Sequence, residues 1–526
     1  MLRSKIKLFL AASLAVSLVT VSSCSKIDDF GNVNTNPTVP LTPLTPALLT
    51  NTLSGLGNSL AWDQGGISTV AGLYCQYFSE TQYTDASAQY SKPTFNWDGY
   101  YAGPLKDLQT IIDYNSDEAT ASIAFAYGSN ANQIATARIL KAYIMWFITD
   151  AWGDVPYNDI FNADANGVIP YTPQETIYNS LFTELTEAVA QFDDGAAAQG
   201  DILFNGDITM WKKFANSIHA MMALRLSKVN PTLGASEFNA ALNADAGVFE
   251  EGESATVVYP GGNFNSPVYN YYTIVSRKDY AVSETVINLL DNADDRYYVL
   301  GTGEGAPGTG AGATITGFPF GLTRDDAVDF LNNNAGFARV VGSSKTVFTD
   351  GTDFNVATAP VVLISSAEVY LARAEAAYLG WTGDDISDMY TTGIRENYKR
   401  WDIYAGELQP IFGGGALNGE DYDYYISLDQ IALGTETGDD AAKIGYETWL
   451  AHFPNGWQGW SDWRRTGYPE LEKSPNTSLA GIPRRLPYGP NEYNLNPTNV
   501  AAAAAQYSAS DAPKDAQLAR VWWDTE

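Results

Sequence analysis

Two aromatic segments carry the most specific chemistry in this sequence. The first holds Tyr83, Tyr90, Phe95, Trp97, Tyr100 and Tyr101 in a stretch rich in Ser, Thr, Asn and Asp. The second holds Phe264, Tyr269, Tyr271 and Tyr272, interleaved with Asn263, Asn265 and Asn270. Sugars present apolar C–H faces and hydroxyl edges. Exposed rings stack on the former while amides hydrogen-bond the latter, the usual mixture in a specific pocket for an uncharged polar ligand. The candidate ligand-binding residues are therefore Tyr83, Tyr90, Trp97, Phe264, Asn265, Tyr269, Tyr271 and Tyr272. For any single ring the competing and commoner role is packing beneath the loops or against a protein partner.

Other chemistries find less support. His219 and His452 are the two histidines and fall on separate predicted helices, so HExxH and multi-histidine metal sites are excluded. His219, beside an apolar face, reads as a satisfied structural histidine. No GxSxG occurs. Gly301–Gly312 (GTGEGAPGTGAG) lacks the Lys-Ser/Thr ending of a phosphate loop and reads as a surface loop. Asp384-Asp385 and Asp421/Asp423 have calcium-type oxygen ligands, but 61 acidic residues produce such pairs by chance, and they read as solvated faces. Neither a cofactor nor a metal is expected, and no catalytic residue is assigned. The alternative from a different class is a glycan hydrolase. It needs two carboxylates ~5–9.5 Å apart beside an aromatic cleft.

The elements that must position these groups are mostly helical. Trp211, Phe214, Ala215, Ile218 and Met222 recur at three- and four-residue spacing, predicting a helix over 208–228 capped by Asp207 or Thr209. Ser365 with Glu368 offers a capping box before VYLARAEAAYLGW, whose small residues at 372, 374, 376 and 377 invite a close neighbour. From Ile134 to Trp146 apolar residues cover nearly all faces, as in a helix buried between others. Further helices are expected near 46–60, 66–78, 173–192, 282–291 and 386–400. Between 255 and 360 the pattern turns to Gly, Asn, Tyr and short β-like runs such as Ala255–Tyr259, which predicts a loop-rich insertion in the helical scaffold.

The N-terminus addresses the chain. Arg3, Lys5 and Lys7 precede the apolar run LFLAASLAVSLVTV, which is shorter than the ~20 residues of a spanning helix and has the length of a signal-peptide core. Val21-Ser22-Ser23-Cys24 then resembles a lipobox. Residues 1–23 are expected to be removed and Cys24 lipidated, with 24–45 as a tether. Pro37, Pro40, Pro43 and Pro46 favour extended polyproline-like backbone there. The membrane is then reached through the lipid alone. With Cys24 committed, Cys75 has no partner, so no disulfide forms, and its apolar surroundings predict a buried thiol. Thirty basic against 61 acidic residues, net −31, argue against nucleic acid. Charged residues are only 17% of the chain, while 13 Trp, 32 Tyr and 22 Phe suit sugar-binding surfaces or large protein interfaces.

Over about 32–505 the sequence resembles the SusD/RagB family of Bacteroidetes outer-membrane lipoproteins. The resemblance rests on NVNTNP, TDAWGDVPY (149–157), TPQETIYNSLFTELTEA (172–188), WKKFANSIHAMMALRLSK (211–228), ISSAEVYLARAEAAYLG (364–380), NGWQGWSDWRRTGYP (455–469) and IPRRLPYGPNEYNLNP (482–497), in that order. It implies a mostly α fold of tetratricopeptide-like helix pairs, an α-α superhelix, with an irregular ligand-binding part. Residues 46–526 would form that single domain. It also implies a non-catalytic cell-surface protein that captures oligosaccharide, or alternatively peptide or another nutrient, for a SusC-like TonB-dependent outer-membrane barrel. The Trp463–Arg465 run and the Arg484-Arg485 pair match family motifs and read as structural ion pairs.

Overall fold

A computed structural model describes residues 42–58, 67–91, 95, 97–158, 160–161, 168–290, 294–297, 316–334, 337–338, 356–401, 420–435, 437–507 and 516–526. Cys24, the expected leader and most of the tether lie outside them, as does Gly301–Gly312.

The scaffold is a succession of packed helices: α1 (Thr45–Leu56), α2 (Ile67–Tyr74), α3 (Lys106–Ser116), α4 (Asn130–Trp152), α5 (Gln174–Gln191), α6 (Ile208–Arg225), α7 (Pro231–Leu242), α8 (Ser366–Tyr378), α9 (Ile386–Arg400), α10 (Asp440–His452) and α11 (Gly456–Thr466). Sequential neighbours pair: α3 with α4, α4 with α5, α6 with α7, α8 with α9 and α10 with α11. The fold is mostly α and tetratricopeptide-like, as the sequence implied.

Local chemistry sets the helix starts. The Asp207 side chain accepts from Met210 N, so Asp207 and not Thr209 caps α6. The Ser365–Glu368 capping box forms before α8. α4 buries residues on every face, including Trp146, Phe147 and Trp152. Close approach between helices needs glycine at two places. A Cβ on Gly393 of α9 would lie 2.6 Å from the Leu371 side chain of α8. One on Gly456 would lie 2.3 Å from Gly72 N, so the α2 and α11 backbones touch.

Three small antiparallel pairs tie the irregular part to this scaffold. β1 (Phe78–Glu80) pairs with β5 (Tyr280–Val282), β2 (Val155–Pro156) with β3 (Tyr171–Thr172), and β4 (Ser254–Val257) with β6 (Val361–Ser365). The helix expected over 66–78 stops at Tyr74. Gln76 turns the chain at φ 60 and binds Glu472 O and Thr285 Oγ1 through its amide, which frees Phe78 to start a strand. The stretch 255–360 is less separate than a simple insertion. β4 and β6 pair at its ends, and β5 reaches back to β1.

A buried polar network locks the helices. Asp150 accepts from Tyr178 Oη at 2.5 Å, Trp523 Nε1 at 2.8 Å and Arg225 Nε at 3.3 Å. Arg225 also bonds Asp462. His452 bridges Asp462 and Glu368 at 2.5 and 2.7 Å. Burial pushes the Asp462 carboxyl up, but Arg225, Arg465 and His452 together hold it well below the usual range. Arg465 pairs with Asp462 and Glu375, and Arg484 with Asp524, so the arginine motifs are structural as read. His219 likewise bonds Glu237 at 2.7 Å and stacks on Phe182. Cys75 is buried, and that burial raises its thiol pKa well above normal. Asp384 and Asp385 are not a merely solvated pair: Asp384 holds Arg373, and Asp385 caps α9.

Candidate functional site: an aromatic rim beside the β1–β5 pair

The β1–β5 pair aligns Phe78 with Val282, Ser79 with Ala281 and Glu80 with Tyr280. Thr81 extends it, donating from N to Asp279 O at 2.7 Å and from Oγ1 to Lys278 O at 2.6 Å. Beyond it Tyr83 emerges 69% exposed, with the Arg277 guanidinium 5.6 Å from its ring centroid. Asp279 holds Arg277 through Nε at 2.8 Å, which orients the guanidinium. Arg324 donates to Gln82 O at 2.8 Å and adds a second cation to the same edge. The two aromatic segments of the sequence therefore meet, through Tyr83 and residues 271–280.

The second segment is built as a platform with a buried floor. Gly261 and Gly262, at φ 81 and 67, allow the tight turn in which Gly261 and Phe264 exchange backbone hydrogen bonds. Phe264 stands 62% exposed on that turn. Asn265 donates to Asn270 Oδ1 at 3.2 Å, and Tyr269 is half-buried. Asn270–Ile274 forms a single π turn, a device that recurs at functional sites. It turns Tyr271 and Tyr272 inward. Tyr272, 5% exposed, donates its hydroxyl to Tyr280 O at 2.8 Å, and Tyr271 stacks on Tyr280 at 6.3 Å. Ile274 and Val275, each 60% exposed, and Arg277 complete the outer edge.

Four candidate rings thus lack the free face that stacking requires. Tyr271 and Tyr272 form the floor. Tyr90 is buried, its hydroxyl accepting from Ser474 N, and burial pushes its pKa up to about 12. Trp97, 3% exposed, is enclosed by Trp152, Tyr101, Tyr171 and Tyr488 at centroid distances of 5.4–6.3 Å. Tyr83, Phe264, Asn265 and Tyr269 keep accessible surface. Sequence reasoning did not single out Arg277, Arg324, Ile274 or Val275. The signal for Arg277 was Asp279 two residues on. For Ile274 and Val275 it was an apolar pair without periodic partners.

Glu80 gives this region a titratable element. Burial pushes its carboxyl up to about 7, against hydrogen bonds from Ser87 N and Oγ at 2.8 and 2.9 Å, and Asp85 adds to the rise. Among the described residues no group of three or more His, Cys, Asp or Glu is arranged to hold a metal ion.

A family model described as starch-binding and associating with the outer membrane matches residues 36–489. A solved chitin-binding protein is 25% identical with a TM-score of 0.71, the match covering 92% of this chain and 100% of that one. A SusD homolog from Bacteroides uniformis ATCC 8492 is 23% identical with a TM-score of 0.68, covering 91% and 99%. A chitin-binding SusD homolog from Flavobacterium johnsoniae is 21% identical with a TM-score of 0.68, covering 92% and 98%. No curated protein matches.

Proposed function

We infer that this chain, which belongs to the SusD-like family, captures oligosaccharide at the aromatic rim and delivers it to a SusC-like TonB-dependent barrel without turning it over. The match over 36–489 carries this reading. The exposed Tyr83 and Phe264, and Asn265 next to Phe264 in the chain, supply the ring faces and amide that sugar recognition needs. The resemblance to a chitin-binding protein makes oligomers of N-acetylglucosamine the first ligands to try. Lipidation at Cys24, following the short apolar leader, would hold the protein on the cell surface.

The deciding experiment titrates the purified protein with chitin oligomers, starch oligomers and peptides, followed by mass spectrometry of the recovered ligand. Saturable glycan binding with intact ligand supports the reading. Ligand cleavage abolished by a single carboxylate substitution moves the protein to the hydrolases. Ile274 and Val275, exposed beside Arg277, favour peptide capture as the second reading, and preferential peptide binding would establish it. Co-purification with a barrel from native membranes tests the delivery step, and loss of palmitate labelling in Cys24→Ala tests the anchor.

A further inference from the structure

A cavity of about 510 Å³ opens between α3, α4 and α5 and shares no residue with the rim. Its walls include Lys106 and Gln109 of α3, Lys141 of α4 and Glu184 of α5, with Tyr157 and Phe161 following β2. Most of the acceptors here are already engaged. Asp113 Oδ1 accepts from Gln109 Nε2 at 2.7 Å, and Gln109 Oε1 accepts from Lys141 Nζ at 2.6 Å. Both oxygens of Glu184 are held by Arg138, at 2.8 and 2.9 Å.

What remains unused is a set of donors. An ammonium has three N–H groups, and that of Lys141 spends one on Gln109. Lys106 Nζ sits 4.9 Å from the Phe161 ring centroid and, like the Tyr157 hydroxyl, makes no hydrogen bond among the described residues. Burial pushes the Lys141 pKa down, against the pull of Glu184 and Asp113, so an added negative charge would relieve the ammonium. Two lysines converging on one cavity stand out in a chain with 30 basic and 61 acidic residues. The volume lies in the small-ligand range and far exceeds a lone oxyanion. Phe161, with the edges of the largely buried Met145 and Leu181, offers apolar wall for ring C–H groups.

We propose that this cavity is a second binding site, for a small sugar acid: one pyranose-sized ring whose carboxylate is taken by Lys141, Lys106 and the Tyr157 hydroxyl. It stands independently of the ligand bound at the rim.

The test titrates the purified protein with glucuronate, glucose and inorganic sulfate by calorimetry and ligand-observed NMR. Glucuronate should bind at least tenfold more tightly than glucose. Lys141→Met should weaken glucuronate about tenfold and Tyr157→Phe roughly three- to fivefold, each at an unchanged melting temperature. Lys106→Gln, at an exposed position, supplies the same readout if Lys141→Met lowers melting. Equal affinity for glucose and glucuronate would overturn the proposal, as would glucuronate binding unmoved by both lysine variants. Sulfate binding with glucuronate silent would overturn it too, because the ring would then contribute nothing. Tyr83→Ala should leave the glucuronate titration unchanged, so failure here is distinguishable from failure at the rim.

Discussion

Around Trp97 the rings face inward, and at the rim Tyr83 faces out. Trp97 has aromatic neighbours on four sides, whereas Tyr83 has Arg277 against its ring and solvent over most of the rest. The chain after Trp97 and the chain after Tyr269, which builds the floor of the rim, each enter a π turn, Tyr101–Leu105 and Asn270–Ile274. What separates Trp97 from Tyr83 is depth. The Trp97 segment lies against the end of α4 and Tyr488, within the main core. The Tyr83 rim follows a two-stranded pair whose Phe78, Tyr280 and Val282 join that same core, while Ala281 packs in a small cluster with Phe318, Ala327 and Phe337. Enclosing a large side chain contributes about 1.5–3 kcal/mol. Trp97 takes that gain in full, whereas Tyr83, beyond the end of β1, leaves its ring outside for a ligand.

Four experiments break or sharpen this contrast. Trp97→Ala should lower unfolding free energy by about 3–5 kcal/mol in denaturant melts and leave the affinity of folded protein unchanged. Lost affinity at wild-type stability would erase the distinction between the two regions. Next is pH. The folded pKa of Glu80, about 7, lies above its ordinary value, so the associated stability is complete below pH ~4.3 and is lost as pH rises through 7. Glu80→Gln should therefore gain on wild type by about 2 kcal/mol between pH 5 and 8, read from paired melts. Tyr83→Ala should weaken rim ligand roughly five- to thirtyfold, or about 1–2 kcal/mol, while melting stays at wild type. Tyr272→Phe, which removes the hydroxyl bonded to Tyr280 O, should cost about 1 kcal/mol of stability with little change in affinity.

The sequence made the helical layer legible because its cues are local. Asp207 and the Ser365–Glu368 pair mark helix starts within three residues, and the periodic apolar positions of α6 point at their neighbours. The fate of a ring is not local. Tyr90 and Trp97 share the polar surroundings of Tyr83 in sequence, yet Ser474 and Tyr488 bury them from hundreds of residues away. Lys141 did carry a readable signal. A charge inside a run apolar on nearly all faces must find a partner or a cavity, and it found both.

The β1–β5 pair brings Tyr83 to Arg277 across about two hundred residues, through three register positions. Its contacts are long-range, and loop closure must be met before they return anything. Amide exchange at residues 78–81 and 279–282 should run ahead of exchange in α4, and ligand should slow it through the linkage between binding and local opening. A protein that still unfolds cooperatively can therefore have a rim that is open part of the time, and its ligand acts as the clasp.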